Sequence, residues 1–174
     1  MGWKAARIQR GWRFVNRRSS AWGMARWPLP APMERAFVLA RQAAVLGEVP
    51  VGAVVVHEGR ILGEGHNLTR SHADPTAHAE VVAIRQAATA LGSDRLTGCD
   101  LYVTLEPCAM CAGAISHARI ARLYYGAPDA KGGAIEHGAR VFAQEQCLHA
   151  PQVYSGIGEA EAAALLRGFF RERR

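Results

Sequence analysis

From Met33 onward the apolar positions switch repeatedly between a spacing of three to four and a spacing of two, the mark of helices alternating with strands. Phe37, Ala40, Ala44 and Val45 fall on one helical face, and Gly47 stops that helix. Val51 to Val56 and Ile61 to Glu64 read as short strands about the turn His57-Glu58-Gly59, a hairpin. A second helix is predicted from Thr76 to Leu91, burying Val81, Ile84, Ala88 and Leu91 and stopping at Gly92. A strand Leu101 to Thr104, a helix Cys108 to His117 and a strand Ala121 to Tyr125 follow. An irregular Gly-rich stretch then runs to Ala150, before a short strand at Val153 and a closing helix from Glu159 to Arg171. This order predicts a three-layer α/β/α fold: a mixed central sheet of about five strands flanked by helices.

The first 32 residues stand apart. They contain no acid, and they end in Pro28-Leu29-Pro30-Ala31-Pro32, which cannot continue a helix. They are expected to form a basic tail and linker, 1–32, ahead of one domain, 33–174. Three readings of the tail compete: an upstream start where Met24 or Met33 is the natural one, an Arg-rich organelle-targeting segment, or an arm that binds RNA. The tail also explains the charge. Of the 21 basic residues behind the net +6, seven precede the first acid, Glu34, so the rest of the chain is near neutral. Arg167, Arg171, Arg173 and Arg174 still make a local basic patch at the C-terminus. No apolar run approaches the roughly 18 residues a membrane-spanning helix needs.

Four cysteines in 174 residues do not call for a disulfide framework. Cys99 and Cys147 stand alone and read as small buried residues, whereas Cys108 and Cys111 form a C-x-x-C behind Pro107. Placed at the start of a helix, two cysteines three apart can turn both sulfurs to one ion, and the helix N-terminus favours their thiolates. His78 supplies a third donor, and three protein ligands are one short of a closed structural zinc site, leaving a place for water. Zinc lowers the pKa of bound water from about 15.7 to about 7, which makes hydroxide available at neutral pH. Glu80 can then shuttle protons. Residues two apart in a helix diverge by about 200°, so His78 and Glu80 must owe any convergence to their place in a first turn. A thioredoxin-like redox pair would leave His78 and Glu80 unexplained. A closed site would have to recruit Cys99, Cys147 or another histidine.

His78-Ala79-Glu80 with Pro107-Cys108-Ala109-Met110-Cys111 resembles the H-x-E and P-C-x-x-C pattern of the zinc deaminases, the cytidine deaminase-like superfamily. Further stretches resemble the bacterial tRNA-specific adenosine deaminases: Glu48 to Ala53, Gly65-His66-Asn67, Asp74 to Glu80, Thr104 to Ala114, Gly126 to Lys131 and Phe169-Phe170-Arg171. The resemblance covers 33–174 and implies one zinc per chain, hydrolytic conversion of the wobble adenosine (position 34) of a tRNA anticodon stem-loop to inosine, a homodimer, and a cytoplasmic setting. It further implies that Asn67 contacts the substrate nucleoside, that the backbone at Ala79 helps hold the base, that Val51 lines the pocket, and that Asp129 lies in a substrate-facing loop. The basic last helix would approach the RNA. The pattern breaks after Lys131, where Gly132-Gly133-Ala134 replaces the Thr-Gly-Ala expected there, and at Leu148, where asparagine is common before His149. Deamination of free guanine, cytosine or a nucleoside is the alternative enzyme activity, and a non-catalytic RNA-binding or structural-zinc subunit the alternative of another class.

Overall fold

The computed structural model describes residues 28–173. The tail up to residue 27, with the three readings of it, lies outside the described residues. Helix α1 (Ala31–Val45) begins two residues before Met33, with Pro32 in its first turn, where a missing N–H removes no helical bond. Its buried stripe is Met33, Ala36, Phe37, Ala40 and Ala43. Val45, expected on that face, is 87% exposed, because the stripe has rotated past it by the last turn.

Strands β1 (Gly52–His57) and β2 (Arg60–His66) form the expected hairpin. Glu58 and Gly59 both have positive φ, 49° and 77°, as a two-residue turn matched to strand twist requires. Helix α2 (Ala79–Leu91), strand β3 (Asp100–Leu105), helix α3 (Ala109–His117), strand β4 (Arg122–Ala127), strand β5 (Gln152–Tyr154) and helix α4 (Glu159–Arg171) complete the order. The sheet runs β2-β1-β3-β4-β5, antiparallel across β2-β1-β3 and parallel across β3-β4-β5, so the predicted mixed five-stranded sheet is present.

Alternation along the strands divides the core. Ala53, Val55, Leu101, Val103, Leu123 and Tyr125 pack under α2 and α3. Val54, Val56 and Ala127 pack with α1 and α4 on the other face. Leu29 joins that second cluster, so the folded body extends into the stretch assigned to the linker.

On the α2 side two successive glycines of β2 meet the helix backbone. A Cβ at Gly63 would lie 2.2 Å from the carbonyl oxygen of Ala83, and one at Gly65 would lie 2.3 Å from that of Ala79. Strand and helix backbones therefore touch, and only glycine on one side facing alanine on the other permits it. Of the predicted stripe Val81 and Ile84 are buried and Ala88 packs against the core, but the buried face is widened toward the alanines. Ala79, Ala83 and Ala87 are fully buried, while Leu91 is 38% exposed. The helix starts at Ala79 rather than Thr76 because the Asp74 carboxylate accepts hydrogen bonds from Thr76 N (2.8 Å) and Oγ1 (2.7 Å), tying 74–76 into a turn.

Since β1 opposes the parallel strands, the residue before β1 and the residues after β2, β3 and β4 emerge at one edge of the sheet. Val51, Asn67, Glu106 and Asp129 are thus gathered at the carboxyl end of the parallel strands, the end where open α/β sheets bind their ligands.

Candidate metal centre and its surroundings

Two helix starts build the centre. His78 is the residue that caps α2, with extended backbone (φ −73°, ψ 152°), and Cys108 caps α3 in the same way (φ −72°, ψ 175°). Because His78 lies outside the helical phase, the divergence expected of residues two apart never applies to it and Glu80. Cys108 and Cys111 likewise converge as cap and third helical residue, not as two positions of one helical face.

The three donors come together. His78 Nδ1 lies 3.7 Å from Cys108 Sγ and 3.5 Å from Cys111 Sγ, and all three donor atoms fall within 4.8 Å of one another. Zinc bonds of about 2.3 Å to sulfur and about 2.0–2.1 Å to nitrogen, set at tetrahedral angles, put sulfur and nitrogen about 3.6 Å apart. The two nitrogen–sulfur spacings therefore match those of a zinc site. Among the described residues no fourth histidine, cysteine or carboxylate joins the group. Cys99 is fully buried in the α2/α3 core, and Cys147 contacts Ser116 and the carbonyl of His149, so neither closes the site.

Electrostatics prepare the donors. The Cys111 thiol beside it, against the effect of burial and with help from His78, holds Cys108 down at about 4. Cys111 is pushed up in turn, first by Cys108 and then by burial. His78 is raised by its contact with Cys108. Glu80 is 4% exposed, and burial pushes its carboxyl up to about 7. The pair thus divides its proton unequally, Cys108 drawn toward thiolate and Cys111 toward thiol, and a buried carboxyl stands two residues from His78.

The four residues assigned to substrate have different surroundings. Asn67, 7% exposed, accepts the Ala79 N–H on Oδ1 at 2.9 Å, so these two are bonded to one another at the start of α2. Val51 is 5% exposed and belongs to the hydrophobic core. Asp129 Oδ1 accepts the N–H groups of Lys131 (2.9 Å) and Gly132 (3.0 Å), which folds its own loop. At the C-terminus Arg173 stacks on Phe169, 3.7 Å from the ring centroid, and lies beside Gly47.

Two buried carboxylates went unnoticed in the sequence. Glu48, fully buried, accepts from Arg70 N, Ser71 N and Ser71 Oγ on Oε1 and from Thr69 Oγ1 on Oε2. It grips the loop between Asn67 and His78. Glu106, 2% exposed, does the same for the loop after β4. The available signal was an acid standing at the end of an apolar run, next to a proline or one residue from it, in each case.

Comparison with known proteins adds four results. Residues 30–127 match the family model of the cytidine and deoxycytidylate deaminase zinc-binding region. The chain is 61% identical over 142 residues to the tRNA-specific adenosine deaminase of Agrobacterium fabrum, a match spanning 82% of this chain and 93% of that one. A solved structure from work on A-to-I editing by tRNA:A34 deaminases at the wobble position of transfer RNA superposes with a TM-score of 0.77 at 59% identity, covering 78% of this chain and 98% of that one. The guanine deaminase of Bacillus subtilis superposes with a TM-score of 0.54 at 46% identity, over 56% of this chain and 62% of that one.

Proposed function

The chain belongs to the cytidine and deoxycytidylate deaminase zinc-binding family, among the tRNA-specific adenosine deaminases, and from that premise we propose that it converts adenosine to inosine at position 34 of a tRNA anticodon. The observation that carries this reading is the likeness to those deaminases across the whole folded body, joined to an open three-donor group beside a buried carboxyl. The net reaction is addition of water at C6 of adenine and loss of ammonia. Zinc held by His78, Cys108 and Cys111 supplies, when bound, the Lewis acidity that makes water nucleophilic at neutral pH.

The remaining work falls to side chains. Glu80 takes one proton from the attacking water at its carboxylate and passes it to the purine ring nitrogen, then takes the remaining proton from the hydroxyl newly bonded to C6 and delivers it to the amine as the C6–N bond breaks. Its burial suits it to both directions, because an enclosed carboxylate, poorly solvated, is ready to take a proton and stands clear of bulk water when returning it. Asn67 fixes the start of α2 through Ala79 N–H, and with it the placing of His78 and Glu80. Its amide group and the Ala79 backbone are assigned to the nucleoside, Val51 to the wall beneath the base, and Asp129 to the nucleotide flanking it. An anticodon loop can splay a base outward to reach such a pocket, as a duplex cannot without extruding it.

Two copies of the chain are assigned to the working enzyme, each completing the other's RNA surface, and the cytoplasm is its place of action. No helix among the described residues is long and apolar enough to cross a membrane. The deaminase domain is assigned to 33–174, with the basic tail as a separate segment.

The test is direct. The zinc-loaded chain is incubated with an anticodon stem-loop RNA bearing A34, and in parallel with free guanine, cytosine and adenosine, and the products are read by nucleoside mass analysis with an ammonia assay. Inosine at position 34 is the expected result. Ammonia from the free bases alone refutes the tRNA reading in favour of a free-base deaminase, and no ammonia from any substrate refutes catalysis.

A further inference from the structure

Glu106 follows β3 and stands two residues before the metal donor Cys108, yet none of the proton transfers above uses it. Its side chain is wholly shielded from solvent, where an ionised carboxylate without partners is very costly. The partners are present, and every one of them donates. Oε1 accepts the N–H groups of Ile135 (3.1 Å), Glu136 (2.9 Å) and His137 (3.1 Å). Oε2 accepts the N–H of Asp129 (3.0 Å) and lies 2.7 Å from Nδ1 of the His137 ring. Four backbone N–H donors and one ring nitrogen converge on two oxygens, a set that an acceptor-only carboxylate satisfies.

Four of the five donors are main-chain N–H groups of one loop, 129–137. That loop is held from its other side as well. Gly133 pairs with Cys108 in a single antiparallel bridge, and Ala134 N donates to Pro107 O at 2.9 Å. A Cβ at Gly133 would lie 2.5 Å from Glu106 Cδ and 2.5 Å from Asp129 O, so the loop crosses the carboxylate at a distance only glycine allows. Here the departure from the expected Thr-Gly-Ala keeps the one glycine the contact demands. The loop therefore borders the metal donors with its height and orientation set by one buried charge.

We propose that Glu106 is a positioning residue for RNA recognition: its carboxylate sets the 129–137 loop against the Cys108 turn, and thereby fixes where a nucleotide flanking the reacting base meets the protein. The inference rests on the RNA-deaminase reading for its substrate. A carboxylate is required and an amide is not equivalent, because glutamine would present an NH2 to a set made entirely of donors. The loop would lift, and substrate binding would weaken with little effect on the bond-making step.

The experiment compares the zinc-loaded full chain with Glu106→Gln, Gly133→Ala and, as a control, the exposed Glu145→Ala, using the A34 stem-loop RNA. Glu106→Gln is expected to raise KM by about tenfold or more while kcat stays within about threefold and zinc remains at one per chain. Gly133→Ala keeps the carboxylate but pushes the loop off it, and should show the same split, whereas Glu145→Ala should match wild type. Hydrogen exchange at the amides of 135–137 should accelerate in both loop variants. A merely structural role would lower the active fraction, hence apparent kcat, at unchanged KM. That result overturns the proposal, as does loss of zinc from Glu106→Gln or unaltered exchange. A wild-type chain that leaves the RNA unchanged refutes the functional reading itself, while a wild type that converts it alongside variants of equal KM refutes only the placement of Glu106.

Discussion

Replacing Glu80 with glutamine separates chemistry from architecture. Glu80 is 4% exposed, so an alanine there would open a buried space and mix a stability loss into any rate change. Glutamine keeps the shape and removes only the ability to accept and release a proton. The metal should stay, because the three donor atoms are His78 Nδ1 and the two sulfurs, and Glu80 is not among them. Loss of a positioned acid–base group costs about 10² to 10⁴ in rate, which is about 2.7–5.4 kcal/mol of barrier at 1.36 kcal/mol per factor of ten. The assay is single-turnover formation of inosine in the A34 stem-loop RNA, with zinc by elemental analysis and the fold by circular dichroism. Glu80→Gln is expected to hold one zinc, melt with the wild type, and turn over at least about a hundredfold more slowly. A rate within a factor of about ten, with zinc and fold intact, would refute the proton-shuttle assignment.

Other outcomes follow from the same geometry. Cys108→Ser should lose zinc by elemental analysis and melt at lower temperature, since binding of a thiolate-ligated zinc is worth on the order of 10 kcal/mol and part of that is folding energy; full occupancy would count against Cys108 as a donor. Glu48→Gln should destabilise in a pH-dependent way. The hydrogen bonds on Glu48 outweigh its burial and hold its pKa below the ordinary 4.5, so its contribution is fully present above 4.5 and is lost as pH falls through the folded value. The difference in urea stability between wild type and Glu48→Gln should therefore shrink below that pH, and a constant difference would contradict the assignment. A chain begun at Pro28 keeps the whole described start of α1 and serves, beside the full chain, as the reference. One begun at Met33 should be less stable by about 1–2 kcal/mol, because it loses Leu29 from the α1/α4 core and the Pro30 carbonyl that accepts from Met33 N and Glu34 N. Equal melting temperatures of all three would show that these contacts carry no weight.

Much of this was legible in the chain itself, where periodicity and chemistry point the same way. The five strands and four helices follow from patterns such as Val51 to Val56, and the donor set follows from three residue types whose joint spacing serves few purposes other than metal binding. Element ends were less legible. Asp74 delays α2 by bonding to Thr76, and no hydrophobic period records that. Leu91 looked like a core residue because a leucine at helical spacing usually is one, yet glycines in β2 draw the alanine face of α2 inward and leave Leu91 at the rim. The roles of Glu48 and Glu106 were invisible for a related reason. Their partners are backbone N–H groups, which every residue but proline carries, so nothing in the composition of 69–71 or 129–137 marks those loops as gripped.

The contact between β2 and α2 has a bearing on how this molecule can vary. With no free space between Gly63, Gly65 and the alanines opposite, one additional methyl group acts as a wedge that tips α2 and swings the imidazole of His78 out of register with the two sulfurs. A saturation survey of the chain should therefore find some of its least replaceable positions among its chemically blandest residues, where two backbones meet with no side chain between them.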